Sequence, residues 1–195
     1  FLNNDGDNAA GLLNDGIWRG TAGAIVPILR RGDSGYAGMP GGSKVGNVWH
    51  GWLNNANHGA WRAWLNVSGN GVVSSTTNGD VNAIFTDING GVMEMVVKVG
   101  DAAPGIPGAT FASMDLPVVG SASATPSANE WVVFIGKVTG GGTMAGVNDL
   151  GIWRKTGAGA FQLVIRAGDS ITTTEGTKTI QKIDIPGSGA TDRRW

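Results

Sequence analysis

Apolar residues fall along this chain in short clusters. WRAWLNVSG (61–69), WVVFIGKVTG (131–140), IVPIL, VMEMVV and FQLVI are rich in β-branched or aromatic side chains. None keeps a helical period of about 3.6 residues for more than two turns, whereas runs of this length suit strands. Asn-Gly, Asn-Asp-Gly, Gly-Gly and Pro-Gly punctuate the clusters and supply the backbone angles of tight turns. The pattern predicts an all-β chain of many short antiparallel strands.

The clusters repeat. LRRGDSG (29–35), VKVGDAA (97–103) and IRAGDSI (165–171) place Gly32, Gly100 and Gly168 at intervals of 68 residues. Upstream, NDGIWR (14–19), VNAIFT (81–86) and NDLGIWR (148–154) place Trp18, Phe85 and Trp153 14 or 15 residues before each glycine. A short loop and an apolar stretch follow each aromatic, which reads as a hairpin leading into a Gly-Asp turn. The residue before the glycine varies (Arg31, Val99, Ala167), and the basic one before it is kept (Arg30, Lys98, Arg166). Arg31-Gly32-Asp33 is therefore read as part of a basic-x-Gly-Asp turn and not as an adhesion tripeptide. Gly32, Gly100 and Gly168 are expected at φ values that other residues avoid. Asp33, Asp101 and Asp169 are expected to accept turn N–H groups or to pair with the basic side chain.

WRAWLNVSG aligns with WVVFIGKVTG, and RRW (193–195) read on into FLNNDGD (1–7) extends the alignment. Phe1, Trp64 and Phe134 become equivalent, and the single repeat domain 1–195 divides into units 1–63, 64–133 and 134–195. A four-stranded unit cannot cover both its faces alone, and stacking copies radially covers them. The expected fold is thus a β-propeller-like repeat of about three four-stranded blades with a period near 68 residues, as part of a larger or oligomeric ring. A linear β-solenoid is the alternative. Three blades leave open edges, so self-association is expected: two chains would give a six-bladed ring, and an open repeat a filament.

Composition narrows the function. With 14 basic and 15 acidic residues, the formal charge of −1 lacks the basic excess of a nucleic-acid surface. No apolar run has the length of about 20 residues that spans a bilayer. Only 15% of residues are charged, and Gly, Asn, Ser and Thr abound, which points to an extracellular or cell-surface setting. There is no Cys, hence no disulfide, thiol nucleophile or thiolate ligand.

One segment breaks the repeat. NVWHGWLNNANHGAW (47–61) gathers Trp49, His50, Trp52, Asn54, Asn57, His58 and Trp61. Aromatic faces stack on sugar rings, and amides and imidazoles bond hydroxyls, so these residues form the candidate ligand site, with a glycan as ligand. Packing of the same side chains in the core or at an interface is the competing reading. His50 and His58 lack a third ligand at metal-site spacing, and NNDGDN (3–8) lacks the length and closing Glu of a calcium loop. No nucleophile elbow, zinc-protease helix or phosphate loop is present. No catalytic residue, metal or cofactor is expected. A noncatalytic scaffold or binding module leads, ahead of a structural surface or filament protein and a propeller-based hydrolase.

VNAIFTDINGGVMEMVVKVGDAAPGIPGATF (81–111), with its shorter counterparts, resembles a family of bacterial secreted tandem-repeat proteins with NDxGIWR…RxGDxAPG repeats. That resemblance implies propeller-forming repeats and an extracellular setting, and no particular chemistry.

Overall fold

The computed structural model describes residues 16–21, 23–67, 80–120, 130–157, 159 and 161–183. These residues are all-β and contain no helix. Strands β1 (Gly16–Thr21) and β2 (Ala24–Arg30) form a hairpin. Strands β3 (Lys44–Leu53), β4 (Gly59–Asn66), β5 (Val81–Asn89) and β6 (Val92–Lys98) form an antiparallel meander in chain order. Strands β7 (Ala109–Gly120), β8 (Trp131–Gly140), β9 (Leu150–Thr156) and β10 (Phe161–Arg166) form a second meander of the same topology. A small hairpin, β11 (Ser170–Thr173) and β12 (Gly176–Thr179), follows. None of the described sheets closes into a barrel.

The middle sheet, β3–β6, is covered on both faces. One face (Trp61, Ala63, Leu65, Phe85, Met93, Met95) packs with Ile17 and Leu29 of the first hairpin. The other (Ala60, Ile84, Val97) packs with Phe111, Phe134, Val138 and Trp153 of the sheet β7–β10. Burial on both sides explains why β4 carries apolar residues almost continuously, without the polar alternation of a half-exposed strand.

The layers are built from equivalent positions. Ile17 pairs with Leu29, Ile84 with Val97, and Ile152 with Ile165. Each pair points forward, away from the preceding layer. Trp18 pairs with Pro27, Phe85 with Met95, and Trp153 with Leu163. Each of these points backward. The front pair of one unit thus lies against the back aromatic of the next.

Two expectations change. A blade that ended with the strand after its Gly-Asp turn would place TFASMDL in the sheet before it; as β7, that stretch opens the next sheet beside β8. The Gly-Asp turns therefore sit between sheets, and boundaries at 63/64 and 133/134 fall inside β4 and β8. Secondly, Trp61 pairs with Phe85, and Phe134 with Trp153, so Trp61 and not Trp64 is the partner of Phe134 in the repeat. The β7–β8 connection (121–130) is longer than the β3–β4 connection (54–58), which moves the local offset away from 68 residues. Phe1 and Trp195, and the NNDGDN stretch, lie outside the described residues.

Candidate functional site

The basic-x-Gly-Asp segments adopt one geometry three times. The backbone N–H groups of Arg30, Lys98 and Arg166 donate to Oδ2 of Asp33, Asp101 and Asp169 at 2.7, 2.9 and 2.7 Å. The same basic residues approach Oδ1 of those aspartates through their side chains, at 3.4, 2.6 and 3.6 Å. Gly32, Gly100 and Gly168 have φ of 90°, 91° and 89°, a region that L side chains occupy only with strain. Their N–H groups donate to the carbonyls of Val45, Phe111 and Ile180, each at 2.8 Å. The N–H groups of those three residues return bonds to the carbonyls of Asp33, Asp101 and Asp169. At Gly32 and Gly100 the turn thus ends one sheet and starts the first strand of the next with paired backbone bonds, and at Gly168 the same bonds reach Ile180.

The 47–61 segment is divided by the strand pleat. Trp61 is 2% exposed and belongs to the core. Its indole lies over Gly51 and Gly59, where a Cβ would come within 1.8 and 2.4 Å of ring atoms. Trp61, expected among the ligand-binding residues, thus packs in the core beside its cross-strand partner Phe85, on the face towards the first hairpin. Trp131 lies over Gly120 in the same manner. Trp49 is half-buried: it meets Trp64 edge to face at 5.3 Å and carries the Arg62 guanidinium over its ring at 4.7 Å. Arg62 continues to Asp115 of the next sheet at 2.8 Å. Trp52 is exposed. The side chain of His50 lies outside the description.

Asn54 and the second histidine turn inward, and Asn57 is exposed. Asn54 Oδ1 accepts from the N–H groups of Ala56 and His58, at 2.9 and 3.0 Å, which fixes the β3–β4 connection. Asn57 takes a left-handed φ of 62°, which Asn tolerates better than most residues, and its carbonyl accepts from Arg19 Nη1. His58 is buried, and its Nδ1 meets Oε2 of Glu130 at 2.5 Å. Asn54 Nδ2 donates to Oε1 of the same carboxylate at 2.9 Å. Glu130, fully buried, binds through its carbonyl the N–H of Gly157. A carboxylate oxygen only accepts, so the imidazole donates from Nδ1. The ring of His58, expected among the ligand-binding residues, thus joins two sheets.

Neighbouring ion pairs extend this polar seam. Arg19 of the first hairpin meets Asp87 of the middle sheet at 2.8 Å, and Asp87 Oδ1 accepts the Gly59 N–H at 2.6 Å. Lys155 of the last sheet meets Glu94 of the middle sheet at 3.2 Å. The pairs run in both senses: the middle sheet offers Asp87 and Glu94 to Arg19 and Lys155, and Arg62 and His58 to Asp115 and Glu130 of the last sheet. Glu130 and Asp87 carry no repeat signal in the sequence; only their isolation as acidic residues beside strand starts and ends marked them. Among the described residues, no three His, Asp or Glu side chains are placed to share a metal ion.

The described residues form an all-β fold whose neighbouring sheets are joined by the pairs Arg19–Asp87, His58–Glu130, Arg62–Asp115 and Lys155–Glu94. Residues 1–182 match the model of a family of unknown function (DUF7453), and the chain belongs to that family. No curated protein and no solved structure matches the chain.

Proposed function

We propose that this protein is a noncatalytic extracellular scaffold or binding module of β-propeller type. The observation that carries the reading is the threefold basic-x-Gly-Asp turn, repeated with the same bonds at each passage between units. The first two turns each deliver the chain to a new layer, and at both layer contacts a front aliphatic pair lies against a back aromatic. The buried ionisable groups of the seam have protein partners across units, as expected where their work is cohesion. Low charge and abundant Gly, Asn, Ser and Thr support the extracellular setting. The test is an experimental structure of the full chain in its assembled state. Four-stranded sheets radiating about one axis are expected; sheets in a straight stack would replace the propeller with a solenoid.

A carbohydrate-binding role is the second reading. Trp52, exposed, and Trp49, half-buried beside it on β3, are the aromatics of the 47–61 segment that keep surface for a sugar ring. A glycan array with wild type and Trp52→Ala tests this. Binding that Trp52→Ala abolishes supports the role, and an array with no bound glycan removes it.

A further inference from the structure

The two ends of the described stack are complementary. At the front, Ile152 and Ile165 of the last sheet are only half-buried, although their counterparts Ile84 and Val97 are 0% and 2% exposed beneath the next layer. Val133 and Ile135, paired with Arg154 and Ile152, widen the same open surface. At the back, the first hairpin bears Trp18, Pro27 and Ile25. Their counterparts Phe85, Met95 and Met93 are buried under the preceding hairpin, and Trp153, Leu163 and Phe161 pack against the middle sheet. Ile25, by contrast, is 59% exposed.

The connections after the Gly-Asp turns carry the same message. The first brings Tyr36 onto Phe85, with ring centroids 6.4 Å apart, and the second brings the Pro104 carbonyl to Trp153 Nε1 at 3.0 Å. Each connection therefore reaches over the back aromatic of the unit that follows. The third, carrying β11 and β12, is exposed along both strands. It nevertheless returns at Ile180 to the position that opens a new sheet in the other two cases. The back aromatic it should meet has its equivalent in Trp18. Within one chain, the first hairpin and the last sheet pack on opposite faces of the middle sheet, so a chain's own Trp18 is not at its own front.

We propose that a second copy of this chain docks head to tail, the Trp18–Ile25–Pro27 surface of one copy covering the Ile135–Ile152–Ile165 surface of another. The Ile180 strand start of one copy then takes the place that β3 has in the middle sheet, in the same sheet as the other copy's β1–β2 hairpin, which takes the place of β5–β6, one strand position away. This deepens the scaffold reading and rests on it.

Sedimentation over a wide concentration range tests the contact with the full-length chain. Wild type is expected to pass from one-chain mass to two chains or more. Ile25→Glu alters only the back surface and Ile152→Lys only the front; circular dichroism confirms that each is folded. Each alone is expected to raise the concentration for association by about tenfold or more, through a charge buried in an apolar contact. An equimolar mixture retains one unaltered front and one unaltered back, and is expected to regain a two-chain species. Wild type that keeps one-chain mass throughout overturns the proposal, including the case in which residues 1–15 or 184–195 cover the surfaces. Association unchanged in both variants, or a mixture no better than either variant, also overturns it. These results leave the scaffold reading standing, because that reading is decided by the arrangement of sheets.

Discussion

Nδ1 of His58 and Oε2 of Glu130 lie 2.5 Å apart, joining the β3–β4 connection of one sheet to the start of β8 in the next. Both side chains are buried, so removing either strands its partner in a low-dielectric setting. His58→Ala and Glu130→Ala are each expected to lower stability by about 3 kcal/mol. The double variant is expected to lose less than the sum, with a coupling of about 1 kcal/mol or more. Denaturant unfolding of the four proteins checks this, and additive losses would show that the contact carries no energy.

The turn aspartates separate two interactions. Asp101 Oδ2 holds the Lys98 N–H, while Oδ1 holds the Lys98 ammonium. Asp101→Asn keeps a side-chain acceptor and loses the ion pair, which is half-exposed; a loss of about 0.5 kcal/mol is expected. Asp101→Ala removes both and is expected to cost about 1–2 kcal/mol. Equal losses in thermal unfolding would mean that the backbone bond contributes nothing.

Tyr36 reports on the first turn. Burial chiefly, then its hydrogen bond to Asp33 at 2.6 Å and the charge of that carboxylate, raise its pKa far above the ordinary phenol value. The folded state then keeps a proton that the unfolded chain releases near pH 10. Stability from this difference is present below that pH and falls as pH rises towards the folded pKa. As the single tyrosine of the chain, Tyr36 can be followed by phenolate absorbance. Ionisation delayed until unfolding is expected; titration at the ordinary phenol pH would disprove the raised value. Tyr36→Phe should flatten the loss of stability above about pH 10.

Glycines beneath the tryptophans set a steric limit. A Cβ on Gly51 meets Trp61 Cδ1 at 1.8 Å, whereas one on Gly41 meets nothing within 4 Å. Gly51→Ala is expected to cost about 2–3 kcal/mol by displacing the indole, and Gly41→Ala to stay within about 0.5 kcal/mol of wild type. Similar unfolding midpoints for the two would show that the ring moves freely.

The Gly-Asp period and the hairpins before it were legible because each depends on local chemistry: a positive φ, a carboxylate three residues from an N–H, and an aromatic at fixed spacing. The inner strands were harder to align. Trp61, Trp64, Trp131 and Phe134 offer two registers, and β4 is covered on both faces, so apolar alternation does not choose between them. Only the pairing with Phe85 and Trp153 decides. The 47–61 cluster looked like a surface for ligands because its composition says nothing of direction. Trp61 follows the pleat into the core, and His58 is drawn to Glu130, 72 residues away. No local pattern announces a partner at that distance.

The paired backbone bonds at Gly32 and Gly100 have a mechanical consequence. They join successive layers through main-chain atoms, so the step from layer to layer does not depend on which apolar side chains fill the gap. Met93 and Met95 stand where Phe161 and Leu163 stand one unit later. The joint repeats the same main-chain bonds while the surfaces it brings together are free to diverge, as different boards are hung on one pattern of hinge.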